Sequence, residues 1–210
     1  MIQKKFKFPC GDITLEGILS FPPGDGPFPI VVICHPHPLY GGSMDNNVVD
    51  AVDSNLIKKG IANLKFNFRG VGGSGGRFGN GIAEQEDLKA ALSFAQAQPQ
   101  VDPAKMGVCG YSFGSRIAFS VAVADERVKA VAGISPFVEP PDLLDLYGQP
   151  KLFLCGTKDG FINPQSLSQL VARYPEPKEL VLFPDVDHFW GSHEEAAAER
   201  VTDFFIKVFK

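Results

Sequence analysis

Short apolar runs alternate along this chain with segments in which apolar residues recur at helical spacing. Unbroken apolar runs are typical of strands that are buried on both faces of a sheet. Residues 29–34 form such a run, and strands are predicted at residues 4–8, 13–21, 29–34, 61–68, 106–109, 128–134, 151–155 and 179–183.

Helical spacing is found in the segments between these strands and after the last one. Asn46 or Asn47 is expected to cap a first helix that runs to about Lys59 and ends at Gly60. Four more helices are predicted, at residues 84–98, 115–122, 165–173 and 194–208.

The alternation of strands and helices predicts an α/β fold with a mostly parallel sheet of about eight strands and helices on both faces. The first two strands, joined by the turn 9–12, are expected to form an antiparallel hairpin at a sheet edge. A length of 210 residues favours one domain over 1–210. The link between residues 134 and 151 is too short for a cap domain.

The motif Gly110-Tyr111-Ser112-Phe113-Gly114 lies between a predicted strand and a predicted helix. A strand, a tight turn and a helix around G-x-S-x-G are typical of a nucleophile elbow, which holds an exposed serine on a strained turn. The two glycines are expected to be required because a Cβ there would collide with the neighbouring strand or helix. Ser112 is therefore the candidate nucleophile of a hydrolase.

A second G-x-S-x-G, around Ser74, serves as an internal comparison. It follows a predicted strand, but more glycines and Arg77 come next and no helix begins there, so residues 70–81 are interpreted as a loop. Residues 70–75 also fit G-x-G-x-x-G, and the missing helix argues equally against a dinucleotide site. Arg69 is expected to anchor this loop by pairing with an acidic residue.

A nucleophilic serine needs a histidine base and an orienting acid. Asp159 directly follows the strand 151–155, and His188 follows the last strand, so the chain order Ser112, Asp159, His188 matches that expected for this elbow. His193 is expected to be exposed near the start of the last helix. The competing acids are Asp145, Asp185 and Asp187.

An oxyanion hole needs two backbone N–H donors. Phe113 follows the nucleophile and is expected to supply one. The loop after the strand 29–34 is expected to supply the other. Proline has no N–H, so Pro36 and Pro38 are excluded, which leaves His37 as the favoured donor and Leu39 or Tyr40 as alternatives. His35 and His37 form an incomplete metal site, so loop packing is the preferred interpretation, with His35 bonded to neighbouring loops.

The composition narrows the choice of partners. A net charge of −4 without a basic cluster gives nucleic-acid binding no electrostatic support, and the prolines within 26–44 exclude a membrane-spanning helix there. We expect the protein to use no metal or cofactor, to bind no membrane and to act on a small acyl substrate. Whether it forms a homodimer is left open. The scattered cysteines, without C-x-x-C, favour buried reduced thiols and a cytoplasmic location: Cys10, Cys34, Cys109 and Cys155.

The chain resembles the α/β-hydrolase superfamily over nearly its full length, and more closely the small, capless, dienelactone-hydrolase-like bacterial proteins. The resemblance implies a Ser112–His188–Asp159 triad and a metal-free serine esterase activity. Dienelactone hydrolase itself has a cysteine where this chain has Ser112, and the resemblance does not give a substrate. The residues that carry it are 35–38, 41–47, 67–74, 110–114, 156–159 and 187–188.

Short-acyl esters are the expected substrates, because without a cap nothing would enclose a long chain. Two alternatives stay open. One is a non-catalytic binding protein that keeps the fold. The other is a thioesterase or an amidase that uses the same triad. The apolar segments 143–147 and 161–162 either line the pocket or are simply packed.

Overall fold

The computed structural model describes residues 2–210, and its eight strands form one sheet. The strand order is β1-β2-β4-β3-β5-β6-β7-β8. The strands are β1 (Ile2–Cys10), β2 (Ile13–Phe21), β3 (Phe28–Cys34), β4 (Ala62–Phe66), β5 (Val101–Tyr111), β6 (Val128–Ile134), β7 (Lys151–Gly156) and β8 (Lys178–Phe183).

Five helices cover the two faces of this sheet. Helices α2, α3 and α4 pack into the apolar core on one face, and α1 and α5 pack into the core on the other. Of the two predicted caps, Asn46 is the one that caps α1, by accepting a hydrogen bond from the N–H of Val48. The helices are α1 (Asn47–Lys58), α2 (Ala83–Gln96), α3 (Phe113–Ala124), α4 (Pro164–Arg173) and α5 (Glu194–Val208).

The predicted fold class is confirmed. Strands β3 to β8 pair in parallel, whereas β1 pairs antiparallel with β2, and β2 pairs antiparallel with β4, at one edge of the sheet. Parallel pairing brings the carboxyl ends of β3, β5, β6, β7 and β8 to the same edge, where loops from different strands meet.

The largest difference from the predicted elements is the start of β5, which begins at Val101 rather than at Met106. Val101 pairs with Phe28, and the next pair joins Ile30 to Met106, so the residues between them leave the ladder. This irregular segment contains Pro103, which has no N–H to donate to a neighbouring strand. The proline therefore lies inside the strand without blocking it.

The four cysteine thiols, which the sequence analysis interpreted as buried and reduced, are buried and unpaired. Burial raises the pKa of each of them above its usual value. Within residues 2–210, no helix combines the length and the apolar character that a membrane span requires.

Arg69 anchors the loop after β4 as predicted, and its partner is Asp87 on α2. The guanidinium donates from Nη2 at 2.6 Å and from Nε at 3.0 Å to Oδ1 of Asp87, and the N–H of Arg69 donates to Oδ2 at 2.9 Å. The Asp87 side chain is fully buried, so these donors take the place of water around its carboxylate.

Replacing Arg69 with alanine is expected to lower the free energy of unfolding by about 3–5 kcal/mol, because it leaves a buried carboxylate without its cation. The matched control is Lys89→Ala, which removes an exposed ion pair with Glu86 on the same helix and should cost less than about 1 kcal/mol. Urea unfolding followed by circular dichroism measures both. Equal losses in the two variants would show that the Arg69–Asp87 pair contributes no more than a surface pair.

Candidate active site

Ser112 occupies the turn between β5 and α3, with φ of 53° and ψ of −119°. Residues other than glycine rarely adopt a positive φ, and such a conformation costs about 1–3 kcal/mol. The surrounding structure holds it in place: the N–H of Ser112 donates to the carbonyl of Ile134 at 2.9 Å, and the N–H of Ser115 donates to the carbonyl of Ser112 at 2.9 Å. This strained turn between a strand and a helix is the elbow that the motif predicted.

The two glycines of the motif are required by close backbone approach. A Cβ on Gly110 would overlap the carbonyl oxygen of Gly114. A Cβ on Gly114 would overlap the carbonyl oxygen of Cys34, at the end of β3. A side chain at either position would therefore collide with the helix α3 or with the end of β3, as the sequence analysis expected.

The structure brings the three predicted side chains into one hydrogen-bonded chain. Oγ of Ser112 lies 3.0 Å from Nε2 of His188. Nδ1 of His188 lies 2.9 Å from Oδ2 and 3.0 Å from Oδ1 of Asp159. The loop after β7 carries Asp159 and the loop after β8 carries His188, so the convergence follows from the parallel order of the strands.

Hydrogen bonds from neighbouring groups hold Asp159 as a carboxylate. Its Oδ1 accepts hydrogen bonds from the N–H groups of Phe161 and Ile162, each at 2.9 Å. Burial acts to raise the pKa of Asp159, but the hydrogen bonds from His188, Ile162, Ser135 and Phe161 outweigh it and hold the pKa below its usual value. The carboxyl is therefore ionised at neutral pH.

The competing acids lie in other interactions. Asp145 faces Arg173 at 3.6 Å, and Asp185 forms an exposed ion pair with Lys158 at 2.8 Å. Asp187, although it precedes His188 in the chain, accepts hydrogen bonds from the two N–H groups that follow that histidine, those of Phe189 and Trp190. His193 is exposed immediately before α5, where the sequence analysis expected it.

Two contacts that hold His188 were not found by sequence reasoning. The hydroxyl of Tyr111 donates to the carbonyl of His188 at 2.8 Å, and burial raises the pKa of that phenol, so it stays a donor. The ring of Phe161 lies on the imidazole of His188, with centroids 4.6 Å apart. Tyr111 is part of the elbow motif, but the motif does not specify that side chain or its partner.

The two N–H groups predicted to stabilise an oxyanion are those of Phe113 and His37. Phe113 is the first residue of α3, where an N–H has no acceptor within the helix. Within residues 2–210, the N–H of His37 has no hydrogen-bond acceptor either. The two alternatives are occupied, because the N–H of Leu39 donates to Nδ1 of His37 and that of Tyr40 donates to its carbonyl.

A cleft of about 820 Å³ opens above Ser112. Aromatic residues are the largest group among those that line it. Phe161 is one of these residues, which agrees with one of the two alternatives for segment 161–162, whereas residues 143–147 do not line the cleft. Arg116 and Glu139, 3.5 Å apart, are its charged residues and were not predicted to line it. The aromatic lining comprises Tyr40, Phe78, Tyr111, Phe113, Phe137, Phe161 and Phe189.

The remaining motif residues have structural partners. The hydroxyl of Ser74 donates to the carbonyl of Asn67 at 2.7 Å and accepts from the N–H of Glu16 at 3.0 Å, in a loop that does not lead directly into a helix. Nε2 of His35 accepts from the N–H of Phe68 in the neighbouring loop, as expected, whereas Nδ1 contacts the carbonyl of Pro36 in its own loop. Within residues 2–210, no three His, Cys, Asp or Glu side chains are grouped closely enough to hold a metal ion.

Comparison with known proteins agrees with this geometry. The chain is 30% identical over 144 residues to Esterase FrsA of an Enterobacter species, a match that covers 65% of this chain and 32% of that protein. It is 31% identical to an alpha-beta serine hydrolase homologue from Coxiella burnetii, with 97% of each chain covered and a TM-score of 0.86. It is 27% identical to an α/β serine hydrolase without lid from Xanthomonas campestris, with 98% and 94% covered and a TM-score of 0.87.

A family model also matches residues 81–210, a segment that contains the elbow, Asp159 and His188. That model is described as the dienelactone hydrolase family. The fold, the absence of a lid in its structural relative and the family match agree with one another. The chain is thus a hydrolase with a capless α/β-hydrolase fold, and it belongs to the dienelactone hydrolase family.

Proposed function

We propose that this protein is a serine esterase that cleaves short-acyl carboxylic esters through an acyl-enzyme formed on Ser112. The observation that carries the proposal is the unbroken chain from the Ser112 hydroxyl through His188 to Asp159, at the base of an open cleft. A hydroxyl, an imidazole and a buried carboxylate in this order form a catalytic triad. The similarity to a protein named as an esterase supports the choice of ester substrates.

The first half of the reaction transfers the acyl group to the enzyme. Nε2 of His188 takes the hydroxyl proton of Ser112 as Oγ attacks the acyl carbon. The carbonyl oxygen becomes an oxyanion, which the N–H groups of Phe113 and His37 stabilise. Loss of one such donor typically costs about 3 kcal/mol of transition-state stabilisation. The protonated His188 then gives its proton to the departing alkoxide oxygen, and the alcohol leaves.

The second half returns the enzyme to its starting state. Water gives a proton to Nε2 of His188 and attacks the acyl carbon, and the intermediate collapses to a carboxylic acid with the proton returned to Oγ of Ser112. Asp159 keeps the proton of the neutral imidazole on Nδ1, which leaves Nε2 free to act as the base. Its negative charge also stabilises the imidazolium that forms in each half-reaction.

The most direct test is labelling with a fluorophosphonate probe, which reacts covalently with an activated serine. We expect labelling of the wild-type protein, with the modification mapped by peptide mass spectrometry to Ser112. Ser74 lies in the second G-x-S-x-G of the chain, and it should stay unmodified. A folded sample that takes up no label would contradict the proposal and favour a binding protein with this fold.

Short acyl chains are expected to be preferred because the cleft has no lid. Burying one more methylene group contributes about 0.8 kcal/mol only where protein removes it from water, and an open cleft does not enclose a long chain. We therefore expect kcat/KM not to rise with chain length, so that p-nitrophenyl acetate and butyrate are cleaved at least as efficiently as the palmitate. The comparison requires ester concentrations below those at which micelles form. A preference for the palmitate would contradict this part of the proposal.

A further inference from the structure

His35 lies at the end of β3, fully buried, with both ring nitrogens in use. The N–H of Phe68 donates to Nε2 at 3.1 Å, so that nitrogen carries no proton. The proton of the neutral ring therefore sits on Nδ1, which lies 2.7 Å from the carbonyl oxygen of Pro36 and donates to it. Burial lowers the pKa of His35 to about 4, which keeps the ring neutral at physiological pH.

The Pro36 carbonyl belongs to the same peptide unit as the His37 N–H. Three peptide bonds in residues 2–210 are cis, and this one is not among them. In a trans peptide the C=O and N–H point in opposite directions. A carbonyl held toward His35 therefore turns the His37 N–H away from it, and Pro36 and His37 both line the cleft.

The prolines on either side do not fix the orientation of this peptide plane. The plane turns about ψ of Pro36 and φ of His37. The ring of Pro36 restricts only its own φ, and Pro38 restricts mainly ψ of His37, which has the extended value of 122° expected before a proline. Neither proline ring therefore prevents a flip of the Pro36–His37 peptide.

Gly42 packs directly against the same peptide, because a Cβ on Gly42 would overlap the carbonyl oxygen of Pro36. Its N–H donates at 3.0 Å to the carbonyl of His37, which belongs to the next peptide unit. The Pro36 carbonyl thus packs against the Cα of Gly42, which carries no side chain, and it accepts its hydrogen bond from His35.

We infer that His35 is a positioning residue that locks the Pro36–His37 peptide with its N–H directed at the oxyanion. This inference rests on the proposed function. His35 does not touch the substrate; its hydrogen bond to Pro36 prevents the flip that would replace a donor with a carbonyl oxygen. Its loss should therefore lower kcat and leave KM unchanged, because the oxyanion forms only on the way to the transition state.

Two substitutions separate this role from simple packing. The amide of asparagine reaches about as far as Nδ1, so His35→Asn keeps a donor to Pro36 and loses the bond to Phe68. Glutamine reaches about as far as Nε2, so His35→Gln keeps an acceptor for Phe68 and loses the donor to Pro36. The two variants thus each lose one hydrogen bond of the same buried ring, and their melting temperatures should fall by similar amounts.

The activities of the two variants should differ. We expect His35→Gln to lose roughly 100-fold in kcat with KM unchanged, which is the lower end of the effect of removing one oxyanion donor. His35→Asn should stay within about threefold of wild type, since the donor to Pro36 is retained. A trifluoromethyl ketone, which forms a tetrahedral adduct with the serine, should bind more weakly to His35→Gln in proportion to its loss of kcat.

Each alternative outcome has a clear meaning. If both variants lose activity equally, in line with their lost thermal stability, His35 has only a packing role and the inference is wrong. A rise in KM without a fall in kcat in His35→Gln would also overturn it. A wild-type protein that neither reacts with the fluorophosphonate nor hydrolyses esters would overturn the proposed function, and this inference with it.

Discussion

Ser112→Ala is expected to lower kcat for ester hydrolysis by roughly a millionfold, since losing the nucleophile of a serine triad typically costs about as much as losing the whole triad. Alanine removes Oγ, which lies 3.0 Å from Nε2 of His188, and with it the group that attacks the acyl carbon. The elbow should keep its shape, because its conformation is held by backbone hydrogen bonds and by the two flanking glycines. Steady-state kinetics on p-nitrophenyl acetate measure the loss, and circular dichroism checks the fold.

The matched control is Ser74→Ala, in the second G-x-S-x-G of the chain. Ser74 bonds to the backbone of Asn67 and Glu16, so alanine there should lower the free energy of unfolding by about 1–3 kcal/mol and leave kcat close to wild type. If Ser112→Ala kept most of its activity, or if Ser74→Ala lost it in a folded protein, the choice of Ser112 as nucleophile would be wrong.

Asp159→Asn is expected to lower kcat by about 10⁴-fold, through the tautomer of the histidine. Oδ1 of Asp159 accepts from the N–H groups of Phe161 and Ile162, and an asparagine would place its oxygen there too. Its NH₂ group would then face Nδ1 of His188 and require an unprotonated nitrogen. The proton would move to Nε2, which could no longer accept the proton of Ser112. Burst kinetics should show that acylation itself is slowed.

Asp187→Asn provides the matched control for this substitution. Asp187 adjoins the same histidine, but its Oδ1 accepts from the N–H groups of Phe189 and Trp190, and the oxygen of asparagine can do the same. Its kcat should stay within about threefold of wild type, because the tautomer of His188 does not depend on it. A larger loss in Asp187→Asn than in Asp159→Asn would identify Asp187 as the orienting acid instead.

The sequence predicted the sheet well because its central strands are buried on both faces. A strand such as β3 is an unbroken apolar run in the sequence, and the bounds of β6 and α5 agree with the predicted ranges. The juxtaposition of the three polar side chains could be predicted for a related reason. Parallel strands place the loops that follow them at one edge, so chain order alone put Ser112, Asp159 and His188 together.

The contacts that hold the site could not be predicted, because they join residues far apart in the chain without any periodic pattern. The bond from the Tyr111 hydroxyl to the His188 carbonyl spans 77 positions, and neither residue type indicates the other. Arg116 lines the cleft from the first turn of α3. Helix side chains are usually solvated or packed against the core, so the residue type did not indicate this role. The early start of β5 was missed because a proline normally ends a strand, and this one lies in an irregular segment.

The burial of all four thiols has a practical consequence for experiments on this molecule. A maleimide dye is expected to react little with the four native cysteines while the chain stays folded. Leu146 is 98% exposed and lies outside the residues that line the cleft, so a cysteine introduced there would be a uniquely reactive handle. One substitution would thus allow the protein to be tethered to a surface or followed by fluorescence without first removing any of its own cysteines.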